Sequence, residues 1–185
     1  GSTFEALASS RVTGSLWLDG GTLTGTGLVG YVQSVGGTIS PGSPYGTLST
    51  GSIVLDSLSR LELEVSSLGV NGFDQLSVIG AALIDGTLDV STIPPFTGGV
   101  CGQVVPAASF SWVGSGRFRT VNGASLTTTR AWRPRYTNNA LELTGYDPSL
   151  ALGFASSKSL GVAEAGATTT VDVCLGRKAP MSAVS

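Results

Sequence analysis

Residues 21–51 read GTLTGTGLVGYVQSVGGTISPGSPYGTLSTG, and the fold follows from this stretch. Apolar residues alternate with small polar ones, and glycine interrupts the pattern every few residues. That is the pattern of short strands separated by tight turns, not of a helix. The tripeptide Gly-Thr-Leu/Ile occurs at Gly21, Gly37 and Gly46 and returns at Gly86, and GGTLTG from Gly20 is offset by 16 residues from GGTISP at Gly36. Gly-Ser-aliphatic at Gly14 recurs at Gly51. Each unit supplies a turn glycine, an outward threonine and an inward aliphatic residue, which one unit alone cannot bury. Repetition of that kind predicts a right-handed parallel β-solenoid, with a β-sandwich built on Gly-rich turns as the alternative.

Working outward, alternation continues in Leu61-Glu62-Leu63-Glu64-Val65, Leu76-Ser77-Val78 and Leu141-Glu142-Leu143. Ser15-Leu16-Trp17-Leu18 and Ser52-Ile53-Val54-Leu55 are more continuously apolar, and each ends at an Asp suited to a turn. The 185 residues suffice for one domain with a core, or one domain and a fragment of a second. Hydrophobic residues make up 41% and charged residues 12%, which is too apolar for a disordered chain.

The missing residue types narrow the chemistry. There is no His, which removes the commonest general base, the commonest neutral metal ligand and any Ser-His-Asp triad. A net charge of −2 argues against a nucleic-acid surface. No apolar run is long enough for a membrane helix, and the start GSTFEALASS lacks the pattern of a signal peptide. GTGLVG from Gly25 lacks the Lys and the helix of a phosphate loop. Cys101 and Cys174 form either one disulfide or two buried thiols. The Lys-poor, Gly- and Thr-rich style of an exported chain favours the disulfide, within one chain or between two.

Residues 21–51 resemble the passenger-domain repeat of bacterial autotransporters and related surface proteins. There a GTG-type turn, a GGT-aliphatic strand and a Ser-Pro-Gly segment leading to Gly-Thr-Leu follow one another. Here Ser40-Pro41-Gly42-Ser43-Pro44 precedes Gly46-Thr47-Leu48, with Tyr45 inserted. Ser59–Val65, Phe73–Leu76, Gly86–Val90 and the closing YTNNALEL from Tyr136 are similar to the same family. The resemblance covers about 120 residues and implies a β-helix exposed outside a bacterium; it implies no catalytic residues. From Leu150 the chain changes character: Lys158 to Arg177 resembles the first two strands of a Calx-β-type sandwich domain. The expected organisation is therefore 1–146 as solenoid with an irregular C-terminal β cap, and 147–185 as a partial β segment. That segment is expected to pack on the solenoid or a neighbouring subunit.

Half of the basic residues fall in one stretch, Arg117, Arg119, Arg130, Arg133 and Arg135, with Phe110, Trp112, Phe118, Trp132 and Tyr136 interleaved. No acid occurs between Asp89 and Glu142. Two readings stand side by side. Arg and aromatic side chains compose a recognition patch for an anionic glycan or an acidic partner. Equally, the aromatics close the open end of the core while the arginines cover its rim. Asp74, Asp85 and Asp89 are weighed as a calcium site or a glycosidase pair, but each sits at a turn and no calcium loop is present.

The expected function is a non-catalytic structural module of a secreted surface protein, in a stalk, adhesin or self-assembled filament. No metal, cofactor or nucleic acid is expected. Partners are expected to be further copies or neighbouring domains, with Phe4–Leu7 and Val171–Leu175 as donated strands. The alternative is a glycan- or receptor-binding module using residues 110–136.

Overall fold

The computed structural model describes residues 1–111 and 114–149. Among them every regular element is a β-strand. The chain visits three sheets, A, B and C, in strict rotation. Its first circuit is β1 (Thr3–Ala6), β2 (Arg11–Val12) and β3 (Leu16–Asp19). The second is β4 (Thr22–Gly25), β5 (Leu28–Val29) and β6 (Val32–Val35). The third is β7 (Thr38–Pro41), β8 (Thr47–Thr50) and β9 (Ile53–Leu55). The fourth is β10 (Arg60–Val65), β11 (Gln75–Val78) and β12 (Ala82–Ile84). The fifth is β13 (Thr87–Thr92), β14 (Val104–Phe110) and β15 (Gly114–Gly116). A last strand, β16 (Thr120–Asn122), reaches sheet A. Then β17 (Ser125–Thr127), β18 (Arg130–Tyr136) and β19 (Ala140–Tyr146) are added to sheet B.

Every pairing from circuit to circuit is parallel. Among the described residues this is an all-β arrangement with long parallel sheets, compatible with a β-solenoid. The repeated motifs explain the register. Thr22-Leu23 lies beside Thr38-Ile39, and Thr87-Leu88 beside Arg60-Leu61, so the Gly-Thr-aliphatic units stack in sheet A. Gly14 and Gly51 launch two strands of sheet C, where Leu16, Val32, Ile53 and Ala82 stand in one row. Gly46-Thr47-Leu48 is the same tripeptide used in sheet B, against Gln75-Leu76. The motif therefore marks a corner, and different corners employ it.

Alternation places one residue of each pair inside. Leu23, Ile39, Leu61 and Leu88 form a fully buried row in sheet A, Leu48 and Leu76 another in sheet B. Stacking like on like means that each aliphatic side chain is covered by those of the circuits before and after it, so no single circuit is stable alone. The corner from sheet C to sheet A is held by a buried polar group. Ser59 Oγ lies 2.9 Å from Ser34 Oγ and 2.7 Å from Asp56 Oδ1, and Asp56 Oδ1 accepts the Gly36 and Leu58 N–H groups. The Ser59 hydroxyl first, then these N–H groups, hold the Asp56 carboxyl below its ordinary range.

Sheet B ends differently from the other two. After β14 the ladder becomes antiparallel, through β19 and then β18. This hairpin brings Trp132 into the interior at 1% exposure, with Phe96, Leu126 and Tyr136 packed against the core beside it. At the opposite end β1, β2 and β3 are the edges of their sheets. Phe4 there is 37% exposed and Trp17 65%. Phe4–Ala6, expected as part of a donated strand, is seated in register on β4 of its own chain. The segment from 150 to 185, with Val171–Leu175 and the Calx-β-like stretch, lies outside the described residues.

Candidate functional site

The arginine and aromatic residues that cluster in sequence are distributed by β18 to its two faces. Trp132 points into the core and its indole N–H donates to Thr92 Oγ1 at 3.0 Å. It is a closing residue, not an exposed stacking platform. Phe118 and Phe110 are buried as well, so most of the aromatic half of the stretch serves packing. Trp112 lies outside the described residues.

The arginines each meet an acceptor or a ring of their own chain. Arg119 forks onto Asp85, Nε to Oδ1 at 2.5 Å and Nη2 to Oδ2 at 2.8 Å. That guanidinium, helped by the Gly86 N–H, holds the Asp85 carboxyl at about 2. Arg135 pairs with Glu142 directly across the β18–β19 ladder. Arg130 donates to the Thr97 carbonyl at 3.3 Å. Arg133 lies 4.4 Å over the Tyr146 ring, and Arg117 5.2 Å over the Tyr136 ring. Cation–π stacking keeps a guanidinium flat and leaves its edge donors facing outward.

Arg117 and Tyr136 are brought together at the mouth of a cavity of about 250 Å³, with Phe110, Thr137 and Asn138 in its wall. The Tyr136 hydroxyl accepts the Phe118 N–H at 3.3 Å, and burial raises the phenol above its usual range. Among the described residues of the tentative binding set, Arg117 and Tyr136 line this cavity.

The three candidate carboxylates are not one site. Asp85 is held by Arg119. Asp89 stands on the outer face of sheet A, where Arg60 pairs with one oxygen and Asn122 donates to the other at 2.7 Å. Asp74 is interior, 2% exposed, with Oδ2 accepting the Glu64 N–H at 2.9 Å and Oδ1 lacking a hydrogen-bond partner. Burial, reinforced by the nearby Glu64 charge, pushes Asp74 up to about 7.

Sequence reading missed the groove on the outside of sheet A. Arg60, Glu62, Glu64, Asp89, Ser91 and Asn122 line a depression of about 460 Å³. Glu62, Asp89 and Asn122 are neighbours in register although far apart in sequence. Aligning RLELEV with TLDVST at their outward positions would have found two of the three. Cys101 sits in the link between β13 and β14, and Cys174 falls outside the described residues. No family model matches the chain and no curated protein matches it, so the likeness to autotransporter passengers and to Calx-β domains rests on the quoted residues and on an all-β, parallel-sheet fold consistent with the first of them.

Proposed function

We propose that the chain is a right-handed β-solenoid serving as a non-catalytic structural module of a secreted bacterial surface protein, in a stalk, adhesin or extracellular filament. The observation that carries this reading is the inward row Leu23–Ile39–Leu61–Leu88, stacked in register over four circuits of sheet A. Such an element transmits length and stiffness, because each circuit contacts only its neighbours. A Cys101–Cys174 disulfide belongs to the same reading as a covalent tie for a chain working in oxidising surroundings. The test is labelling of intact, unpermeabilised cells of the encoding organism with an antibody to residues 1–149. Surface label supports the reading, and label seen only after permeabilisation overturns it.

A second reading is favoured by one observation, the stacked Arg117–Tyr136 pair at the mouth of its cavity. In it the module binds an anionic glycan or an acidic receptor segment there. A glycan array with sulfated and uronic-acid-containing oligosaccharides tests it. Binding that weakens with salt and disappears in Arg117→Ala supports the site; a blank array removes it.

A further inference from the structure

The corner from sheet A to sheet B is not built alike in every circuit. β4 reaches β5 through the two residues 26–27, whereas β7 reaches β8 through the five residues 42–46, Gly-Ser-Pro-Tyr-Gly. Gly42 and Gly46 frame that segment at φ +96° and +145°, conformations that glycine adopts at little cost. Between them, the backbone of 43–45 makes no hydrogen bond to a neighbouring circuit among the described residues. Ser43 Oγ reaches Glu5 Oε1 at 3.5 Å. Against Gly42 lies the buried carboxyl of Asp74. We propose that 43–45 is a flap hinged at Gly42 and Gly46, closed over the neutral Asp74 carboxyl and opened when that carboxyl ionises.

The packing around Asp74 suits an acid that keeps its proton. Oδ2 accepts the Glu64 N–H, and Oδ1 has no donor. A Cβ added to Gly42 would stand 2.3 Å from Oδ1 and 2.9 Å from the Pro44 carbonyl oxygen, so two acceptors border one spot beneath the flap. Two nearby amides are committed elsewhere: the Gly42 N–H donates to Gly25 O and the Gln75 N–H to Gly46 O, each at 2.9 Å. A neutral carboxyl brings its own donor to that spot. A carboxylate brings a buried charge instead, and opening the flap is the way to hydrate it.

Few charges surround this corner. Glu64 on β10 opposes ionisation of Asp74, the Glu64 and Gly46 N–H groups favour it, and burial outweighs them. Arg60, the cation of β10, pairs with Asp89. Glu5 faces the flap from β1, and Tyr45 is the flap's own titratable residue. The loop 66–73 and strands β4, β7, β8 and β11 carry no titratable side chain. That loop is tied to itself, with the Ser66 and Ser67 N–H groups donating to Gly72 O at 2.7 and 2.9 Å, so the flap is the side that yields. Opening returns the carboxyl to water and to its ordinary value. The closed form is therefore favoured at low pH and released progressively from about pH 4 to 7.

The experiment is amide hydrogen exchange of the full chain, read by nuclear magnetic resonance across pH, with each rate divided by its intrinsic rate. The reporters are the Gly42 and Gln75 amides, and the Ile53 amide, bonded to Ala81 O on the far side of the circuit, is the control. Protection of both reporters falls by about tenfold per pH unit between pH 4 and 7, levels beyond, and stays well below that of Ile53. Asp74→Asn removes the slope at both reporters. Glu64→Gln moves the levelling point to lower pH, with circular dichroism confirming that each variant is folded. Reporter protection that ignores pH in the wild type overturns the inference. So does exchange of the reporters and Ile53 at one common rate, which would mean that the flap opens only with the whole molecule. A slope that survives Asp74→Asn overturns it too. If that variant does not fold, Glu64→Gln decides, and an unmoved levelling point is fatal. None of these outcomes bears on cell-surface location, so this inference and the proposed function fail separately.

Discussion

The indole N–H of Trp132 on β18 donates to the Thr92 hydroxyl at the end of β13, 3.0 Å away. The bond ties the antiparallel hairpin of sheet B to the last long strand of sheet A, so the largest buried side chain also fixes the hairpin's position over the core. Trp132→Ala leaves a large void and an unpaired Thr92, and it should lower unfolding free energy by about 3–5 kcal/mol. Trp132→Phe keeps much of the volume and loses the hydrogen bond, for a smaller cost of about 1–2 kcal/mol. Urea denaturation followed by far-ultraviolet circular dichroism measures both.

Asp74 gives an opposite pH signature to that of an ordinary surface carboxylate. Its folded value of about 7 lies above the unfolded value of 3.8, so the folded state binds the extra proton. Stability is therefore full below about pH 4, falls as pH rises toward 7, and is level beyond, a total of up to about 4 kcal/mol. Asp56, held low by Ser59, works the other way and withdraws stability as pH falls below its ordinary range. Asp74→Asn should flatten the slope between pH 4 and 7 and raise the midpoint at pH 8, read by thermal melts across pH. An unchanged slope would remove Asp74 as its source.

Thr50 lies in an inward row between Val29 and Val78, and its buried hydroxyl has no partner. Thr50→Val keeps the shape and deletes an unsatisfied polar group. It should be stabilising by about 1–2 kcal/mol, with its neighbours Val29 and Val78 needing no rearrangement. Differential scanning calorimetry decides it; a loss of stability would mean that the hydroxyl is satisfied.

Gly25 closes β4 at φ +105°, where a side chain would overlap the carbonyl oxygen of Ala6 in the strand below. Gly25→Ala should cost about 2 kcal/mol or more through strain and displacement of β1. At Gly20, with φ +69° but open space, alanine should cost only about 1 kcal/mol. Equal losses in urea titrations would mean that crowding from β1 is not the cause at Gly25.

The stacking was legible because Gly-Thr-aliphatic carries its own register: the turn glycine, the outward threonine and the inward leucine are fixed within three residues. Composition and alternation therefore reached the all-β, parallel fold and the closing role open to Trp132. What escaped was pairing at long range. Nothing near Asp89 in sequence announces Arg60 or Asn122, because the circuits between them differ in length and carry loops such as 66–74. The arginine stretch misled for a related reason. Alternation along β18 sends Trp132 inward and Arg133 and Arg135 outward, so a run that is continuous in sequence is divided between core and surface in space.

The change of sheet B from parallel to antiparallel has a consequence for the order of folding. The β18–β19 hairpin needs only the three residues 137–139 to turn, whereas even the shortest parallel pairing must first close a circuit of 16 residues. Loop closure disfavours the longer arcs, so among the described residues the antiparallel turns of sheet B, this one and the two-residue link from β17 to β18, are cheaper to close than any parallel circuit. Once formed, the β18–β19 hairpin offers β19 as a template for β14, and each new circuit seeds the one before it in sequence. Closure cost alone therefore predicts that order begins in the last described strands and spreads toward the first.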